Sequence, residues 1–445
     1  MTPSLALTNV GHRRALELSR GTGLWDADPG ADDHLLRLLR APAARLPASG
    51  ASLEHDLLRR GFVREVDESV TAARLRRDVR ANPLEQISAV ALEMTTRCDF
   101  RCDHCYNASV PEHTERDLDR LLRTTDLLAS MGVRRFAFIG GEVTKYADGW
   151  LTVARSVRAR GAEVVGVLTN GWWLGRGGFE AAGERYPSVR RYLDELRDHG
   201  VTHVVFSLDG PASVHDRNRH HPGLYGRIVA EFAEVRAASL VPRVSVLLRN
   251  NGLGAEGAWI AGLARQLYPE ARDLDDGSAA AVLLGDPTNI ASNFMEHGRG
   301  SGSFDGYAVP LACFRPEHMR CAGFYRPSPK LTVKAGGEIA TCRLGCAGEG
   351  YGNIHQTDPV DILNRMQDAF VYRLHAERLI GGYRELMDRE VFGHYFGSVC
   401  AVRAIVTLIA RKMEEQGVDP GDRARVARIN REVASLTGHA ARDGD

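Results

Sequence analysis

Lysine is nearly absent from this 445-residue chain, with four residues against 53 arginines. Basic and acidic residues still balance at 57 each, so the net charge is zero. No field of one sign steers the molecule toward nucleic acid or an anionic membrane. The arginine bias more often follows coding composition than phosphate binding and carries no functional reading. Long apolar runs are missing too: nothing approaches the roughly 18 uncharged apolar residues of a membrane span. Met1 to Arg20 also lacks the basic segment and apolar core of a secretory signal. A soluble, cytoplasmic protein is expected, with no nucleic acid and no membrane among its partners. Cysteine is scarce as well, and eight in so long a chain are too few for a disulfide scaffold.

The cysteines fall in groups, 98/102/105 and 313/321/342/346, with Cys400 alone. Grouping points to metal rather than crosslinks. Cys98-Asp99-Phe100-Arg101-Cys102-Asp103-His104-Cys105 places three thiols in one short loop. Thiolates are soft ligands for iron-sulfur clusters, zinc or cuprous ions, and three of them leave a tetrahedral site one ligand short. A zinc knuckle would complete itself with His104 or a distant residue, and inert core thiols are the other bland reading. Structural zinc loops, however, favour paired cysteines two residues apart, and buried thiols have no reason to cluster.

Apolar strand-like runs recur at 87–94, 135–139, 163–169, 203–208, 243–248 and 280–284, with room between them for crossover helices. An α/β fold with a parallel sheet follows. Six units fall short of the eight that close a full barrel, so the expectation is an open, partial (β/α)6 barrel with a lateral mouth. Chemistry in such folds sits at the C-terminal ends of the strands, where the cysteine loop falls. The first crossover helix reads as capped by Thr114, with Asp117 three residues on, Leu118, Leu121 and Leu122 on one face, and a stop at Gly132. A second, over 188–199, turns Tyr192, Leu193 and Leu196 inward and ends at Gly200. Residues 1–80 precede the core as a small unit with a Leu35/Leu36/Leu38/Leu39 helix face. Leu53 to Val63 within it reads as a helix, a stop at Gly61 and a strand.

The cysteine spacing, with the aromatic ring of His104 just before the last thiol, resembles the signature of the radical S-adenosylmethionine (SAM) enzymes. The resemblance implies that Cys98, Cys102 and Cys105 hold a 4Fe-4S cluster whose fourth iron chelates the amino and carboxylate groups of SAM. One electron then splits SAM into methionine and a 5′-deoxyadenosyl radical that abstracts hydrogen from the substrate. His104, Gly140, Gly141, Glu142 and Ser207 are the cofactor-binding residues it implies. Gly140-Gly141-Glu142 resembles the family's turn for the SAM amino group, with Val143 where proline is common. Thr169-Asn170-Gly171 resembles the third-strand ending and also reads as an ordinary turn. Ser207-Leu208-Asp209-Gly210, followed by His215-Asp216 and Arg219, resembles the peptide-modifying branch. There Ser207 would lie near the SAM carboxylate or ribose, and Asp209 would face the substrate cavity as a catalytic candidate, although an Asx-turn explains it too.

Cys321, fifteen residues, Gly337, four residues and Cys342, with Cys346 beyond, resembles the opening of a SPASM domain. The family's later run of four cysteines is absent, which points to the truncated Twitch form or a degenerate SPASM. The resemblance implies an auxiliary 4Fe-4S cluster held by Cys321, Cys342 and Cys346 with Cys400, or Cys313 in its place; zinc is the alternative. The plan is then a winged-helix-like or capping unit over 1–80, a radical SAM core over 85–300, a SPASM/Twitch-like domain over 310–405 and a helix or tail over 406–445. The implied function is an oxidoreductase that matures a ribosomally made precursor peptide, its leader held by the N-terminal unit, with a flavodoxin- or ferredoxin-type electron donor. The alternative is a dehydrogenase or dehydratase acting on a sugar or aminocyclitol.

Overall fold

The computed structural model describes residues 4–21, 29–40, 51–66, 75, 84–85, 87–105, 107, 117–248, 255–285, 290–293, 309–310, 330–340, 351–376, 379–392, 395–396 and 399–437. At the N-terminus, β1 (Ser4–Leu7) pairs antiparallel with β2 (Val63–Val66), and the helices Asn9–Ser19, Pro29–Arg40 and Ala51–Arg59 lie between them in the chain. Gly61 turns the chain from the last helix toward β2 at φ +70°, as the sequence suggests. This unit is fastened to the rest by buried and half-buried polar groups. Asn364 Oδ1 accepts from Val10 N at 2.9 Å, Asn364 Nδ2 donates to the Gly61 carbonyl at 2.8 Å, and Arg13 Nε donates to the Met131 carbonyl at 2.5 Å.

The central sheet contains β3 (Ala89–Thr95), β4 (Arg135–Gly140) and β5 (Val164–Thr169); a hairpin of β6 (Phe179–Ala181) and β7 (Glu184–Tyr186) follows as its own small sheet. The main sheet continues with β8 (His203–Leu208), β9 (Val241–Leu248) and β10 (Ile290–Asn293). β11 (Val309–Pro310) pairs elsewhere, with β15 (Tyr395–Phe396), and β12 (Lys330–Val333), β13 (Glu338–Ala340) and β14 (Gly352–Asn353) complete the main sheet. The order is β10-β9-β8-β5-β4-β3-β12-β13-β14, parallel from β10 to β12 and antiparallel beyond. The six-strand partial barrel is therefore present, and a hairpin extends it on the far side of β3. Along β8, Val204, Phe206 and Leu208 are fully buried while Ser207 on the other face is half-buried, the period-2 alternation of a strand. Trp173 packs its ring against Tyr192 at 5.3 Å and Phe206 at 5.9 Å, joining the 189–198 helix to the sheet. Each such side chain contributes about 1.5–3 kcal/mol on full burial.

Three expectations need correction. Residues 280–284 are not the sixth strand; they lie in the helix Asp276–Gly285, and the strand is β10. An alanine-rich apolar run favours helix, and Asp275 caps it by accepting from Ser278 N at 3.0 Å. The first crossover helix is capped by Asp117, which accepts from Arg120 N at 3.0 Å; Thr114 lies outside the described residues. The expected boundary after residue 405 falls inside the helix Val399–Glu415. Leu374, Ile380, Phe392, Ile405, Ile409, Ile429 and Val433 share one core, separate from the main core that takes in Leu331, Ile339 and Ile362. Hydrophobic burial thus joins 331–340 and 351–366 to the barrel and gathers the helices Phe370–Ala376, Ile380–Arg384, Arg389–Phe392, Val399–Glu415 and Arg423–Thr437 around a second core.

Candidate active site

The cysteine loop leaves the C-terminal end of β3, and its non-cysteine positions are docked from outside. Lys145 Nζ donates to Asp99 Oδ2 at 2.6 Å, Phe100 stacks on His221 with ring centroids 3.7 Å apart, Asp103 N donates to the Asn218 carbonyl at 3.1 Å, and His104 Nε2 lies 3.3 Å from Asp209 Oδ1. Cys102 is buried, and Cys98 and Cys105 are half-buried. Two N–H groups point at the Cys98 sulfur, Phe100 N at 3.4 Å and Asn170 Nδ2 at 3.8 Å.

Gly140 and Gly141 lie against the run into this loop. Gly141 N donates to the Thr95 carbonyl at 2.7 Å and Glu142 N to the Arg97 carbonyl at 2.8 Å. A Cβ on Gly140 would sit 2.2 Å from the Thr95 carbonyl oxygen and one on Gly141 2.0 Å from that of Arg97, so only glycine permits the approach. The Glu142 carboxylate turns inward. It is wholly buried and accepts from the Thr144 hydroxyl, from Thr169 Oγ1 at 2.8 Å and from Asn170 N at 2.7 Å. Burial pushes it up to about 7 against the pull of these hydrogen bonds. Sequence reasoning missed Thr144 altogether and read Thr169-Asn170 chiefly as a turn.

Asp209, at the end of β8, is 4% exposed and takes the Arg219 guanidinium in both arms, Nε to Oδ2 at 2.7 Å and Nη2 to Oδ1 at 2.8 Å. Burial alone would raise its carboxyl, but Arg219 and His104 hold it well below the usual carboxylate range. Its own N–H donates to His215 Nδ1 at 3.2 Å. Ser207 stands on β8 in register with Ser245 of β9, two residues before Asp209. Thus His104 and Asp209 are brought together, Gly140, Gly141 and Glu142 adjoin the cysteine loop, and Ser207 lies on β8, the strand that ends at Asp209. Cys313, Cys321, Cys342 and Cys346 lie outside the described residues; Cys400 is in the helix Val399–Glu415.

The sequence model of the Radical SAM superfamily matches residues 92–248, the stretch that runs from β3 through β9. Those residues are a radical SAM domain. The superfamily is one of enzymes that bind a 4Fe-4S cluster and SAM. GTP 3′,8-cyclase from Staphylococcus aureus is 28% identical over 131 residues, 28% of this chain and 34% of that one; the chain spans about a third of the length of the curated relatives it matches. Among solved structures, Streptococcus suis SuiB covers 83% of each chain at 11% identity with a TM-score of 0.46, and SuiB bound to precursor peptide SuiA covers 80% of this chain and 77% of that one at 12% identity and 0.43. BtrN in complex with AdoMet and 2-DOIA covers 66% of this chain and 89% of that one at 13% identity and 0.35.

The radical SAM loop fits a cluster by its own chemistry. Among the described residues no three His, Cys, Asp or Glu side chains converge on one ion, whereas a cubane spreads its thiolates over separate irons. Burial, with Glu142 adding to it, pushes the Cys98 thiol up, a cost that coordination reverses by deprotonating the ligand outright. The two N–H groups at Cys98 suit an anionic sulfur. Among the described residues no helix is long and apolar enough to cross a membrane.

Proposed function

We propose that the protein is a cytoplasmic oxidoreductase that cleaves SAM reductively and removes a hydrogen atom from a ribosomally made precursor peptide. The observation that carries the chemistry is the Cys98–Cys105 loop at the end of β3, with Gly140 and Gly141 packed against its approach. Cys98, Cys102 and Cys105 would hold the cluster, which when bound supplies the electron that splits the carbon-sulfur bond of SAM. The Gly140-Gly141 backbone would receive the SAM amino group, since the Glu142 carboxylate is already spent on Thr144, Thr169 and Asn170. Ser207 would meet the SAM carboxylate or ribose, and a flavodoxin- or ferredoxin-type donor would deliver the electron.

The peptide part of the reading rests on the N-terminal unit. Among the described residues β1 and β2 form a sheet of two strands, so each offers there an edge of N–H and C=O groups that an extended leader can pair with. The auxiliary cluster, held by Cys321, Cys342, Cys346 and Cys400 or Cys313, belongs to the same proposal. Two measurements test it. Anaerobic incubation with the product of any short open reading frame found beside this gene, tested as precursor peptide, should give a peptide mass change together with 5′-deoxyadenosine; turnover of a sugar or aminocyclitol without peptide would transfer the assignment to the small-molecule reading. Iron content of protein with Cys98, Cys102 and Cys105 all replaced by alanine should remain at about four per chain if the auxiliary cubane exists, and iron-free protein would remove it.

A further inference from the structure

We propose that Asp209 and Arg219 are positioning residues for the cysteine loop, acting through His104, and that Asp209 does not act on the substrate. The helix Ala212–Arg219 folds back after β8 so that the Arg219 fork takes both carboxylate oxygens at 2.7 and 2.8 Å, a bidentate geometry that fixes orientation as well as distance. The Asp209 N–H is tied to His215 as well. The carboxylate so fixed stands 3.3 Å from His104 Nε2. An aspartate 4% exposed, with both oxygens engaged, has no open face for a substrate, and this replaces the expectation that it projects into the cavity.

The loop needs such a support. Cys105 N donates to the Cys102 carbonyl at 3.2 Å, but the intervening Asp103 N reaches out to the Asn218 carbonyl at 3.1 Å. The segment from Cys102 to Cys105 therefore takes its shape partly from the 209–218 segment. The exposed His220–Asp103 contact, with both side chains more than half exposed, adds little. The resemblance asks only for an aromatic ring before the last cysteine, and phenylalanine or tyrosine would supply that; only histidine among them offers a ring N–H to Asp209. The tether is thus a property of this chain's own residue 104.

The consequence for catalysis rests on the reading of this loop as the cluster site, but the test does not. Metal-free protein is treated with iodoacetamide and alkylation of Cys102 is followed by peptide mass spectrometry in wild type, His104→Phe and His104→Gln. Residue 104 is partly exposed and neither change touches the buried ion pair, so circular dichroism should show the fold intact. The tether predicts Cys102 alkylated about tenfold faster in His104→Phe, the factor one charge-assisted hydrogen bond supplies, and a rate near wild type in His104→Gln, which keeps an N–H for Asp209. A wild-type rate in His104→Phe, or a His104→Gln rate as fast as that of His104→Phe, would overturn the proposal. Failure to cleave SAM would refute the proposed function and leave these rates unchanged.

Discussion

Glu142 Oε2 accepts the backbone N–H of Asn170 at 2.7 Å, so a wholly buried carboxylate at the end of β4 holds the end of β5. Four donors from two segments surround it, each a hydroxyl or N–H. Glutamine cannot accept at both ends: its NH2 would face either Asn170 N or the threonine hydroxyls. Glu142→Gln should therefore cost about 1–3 kcal/mol, read as a lower urea midpoint at pH 5, and the gap should narrow toward pH 8, because the folded carboxyl, raised to about 7, takes up its charge against burial. An unchanged midpoint would show that the carboxylate is not the bracket described.

Gly141→Ala should spare the barrel and displace the cysteine loop. The added Cβ would meet the Arg97 carbonyl oxygen at 2.0 Å, and that atom is backbone. Iron retained after anaerobic reconstitution should fall to background while the far-ultraviolet circular dichroism stays near wild type. Wild-type iron content would mean that the approach of the two backbones is dispensable.

The Arg219–Asp209 pair is buried, with side-chain exposures of 8% and 3%. Removing one partner strands a charge in a low dielectric, so Arg219→Leu should destabilise by about 3–5 kcal/mol. The double replacement Arg219→Leu/Asp209→Leu should lose less than the single one, because no unpaired carboxylate remains. Denaturant unfolding of wild type, Arg219→Leu and the double variant decides this, and a double variant no more stable than Arg219→Leu would contradict it.

His12, 5% exposed in the N-terminal helix, is held down to about 4, by burial first and by Arg13 second. The unfolded chain, with histidine near its ordinary 6.5, takes up the proton earlier, so this group's stabilisation is complete above about pH 6.5 and is lost as pH falls toward 4. The window corresponds to about 3 kcal/mol at most. The difference in urea midpoint between wild type and His12→Asn should shrink or reverse from pH 7 to pH 5; a constant difference would sink the assignment.

The strands of the core were legible where apolar runs are short and rich in β-branched residues, as at His203–Leu208. The run at 280–284 was not, because five apolar residues carry no period that separates a buried strand from a helix. The cysteine loop was legible because its ligands are close in sequence. The bracket around Glu142 was not: Thr169 lies 27 residues away, and nothing local in the sequence says that β5 brings it back. Asp209 stood out as a residue type at a strand end, but its partners His104 and Arg219 come from a different loop and the end of the next helix, and it is on those contacts that the proposed positional role rests. Gly337, read as part of a cysteine spacing, is the β12–β13 turn at φ +87°.

The central claim is that the 98–105 loop is where SAM is cleaved. The most direct measurement is 5′-deoxyadenosine formation by anaerobically reconstituted, dithionite-reduced protein supplied with SAM, for wild type and for Cys102→Ala. The account predicts product from wild type and none above background from Cys102→Ala. No product from iron-loaded wild type, or equal product from the variant, would contradict it.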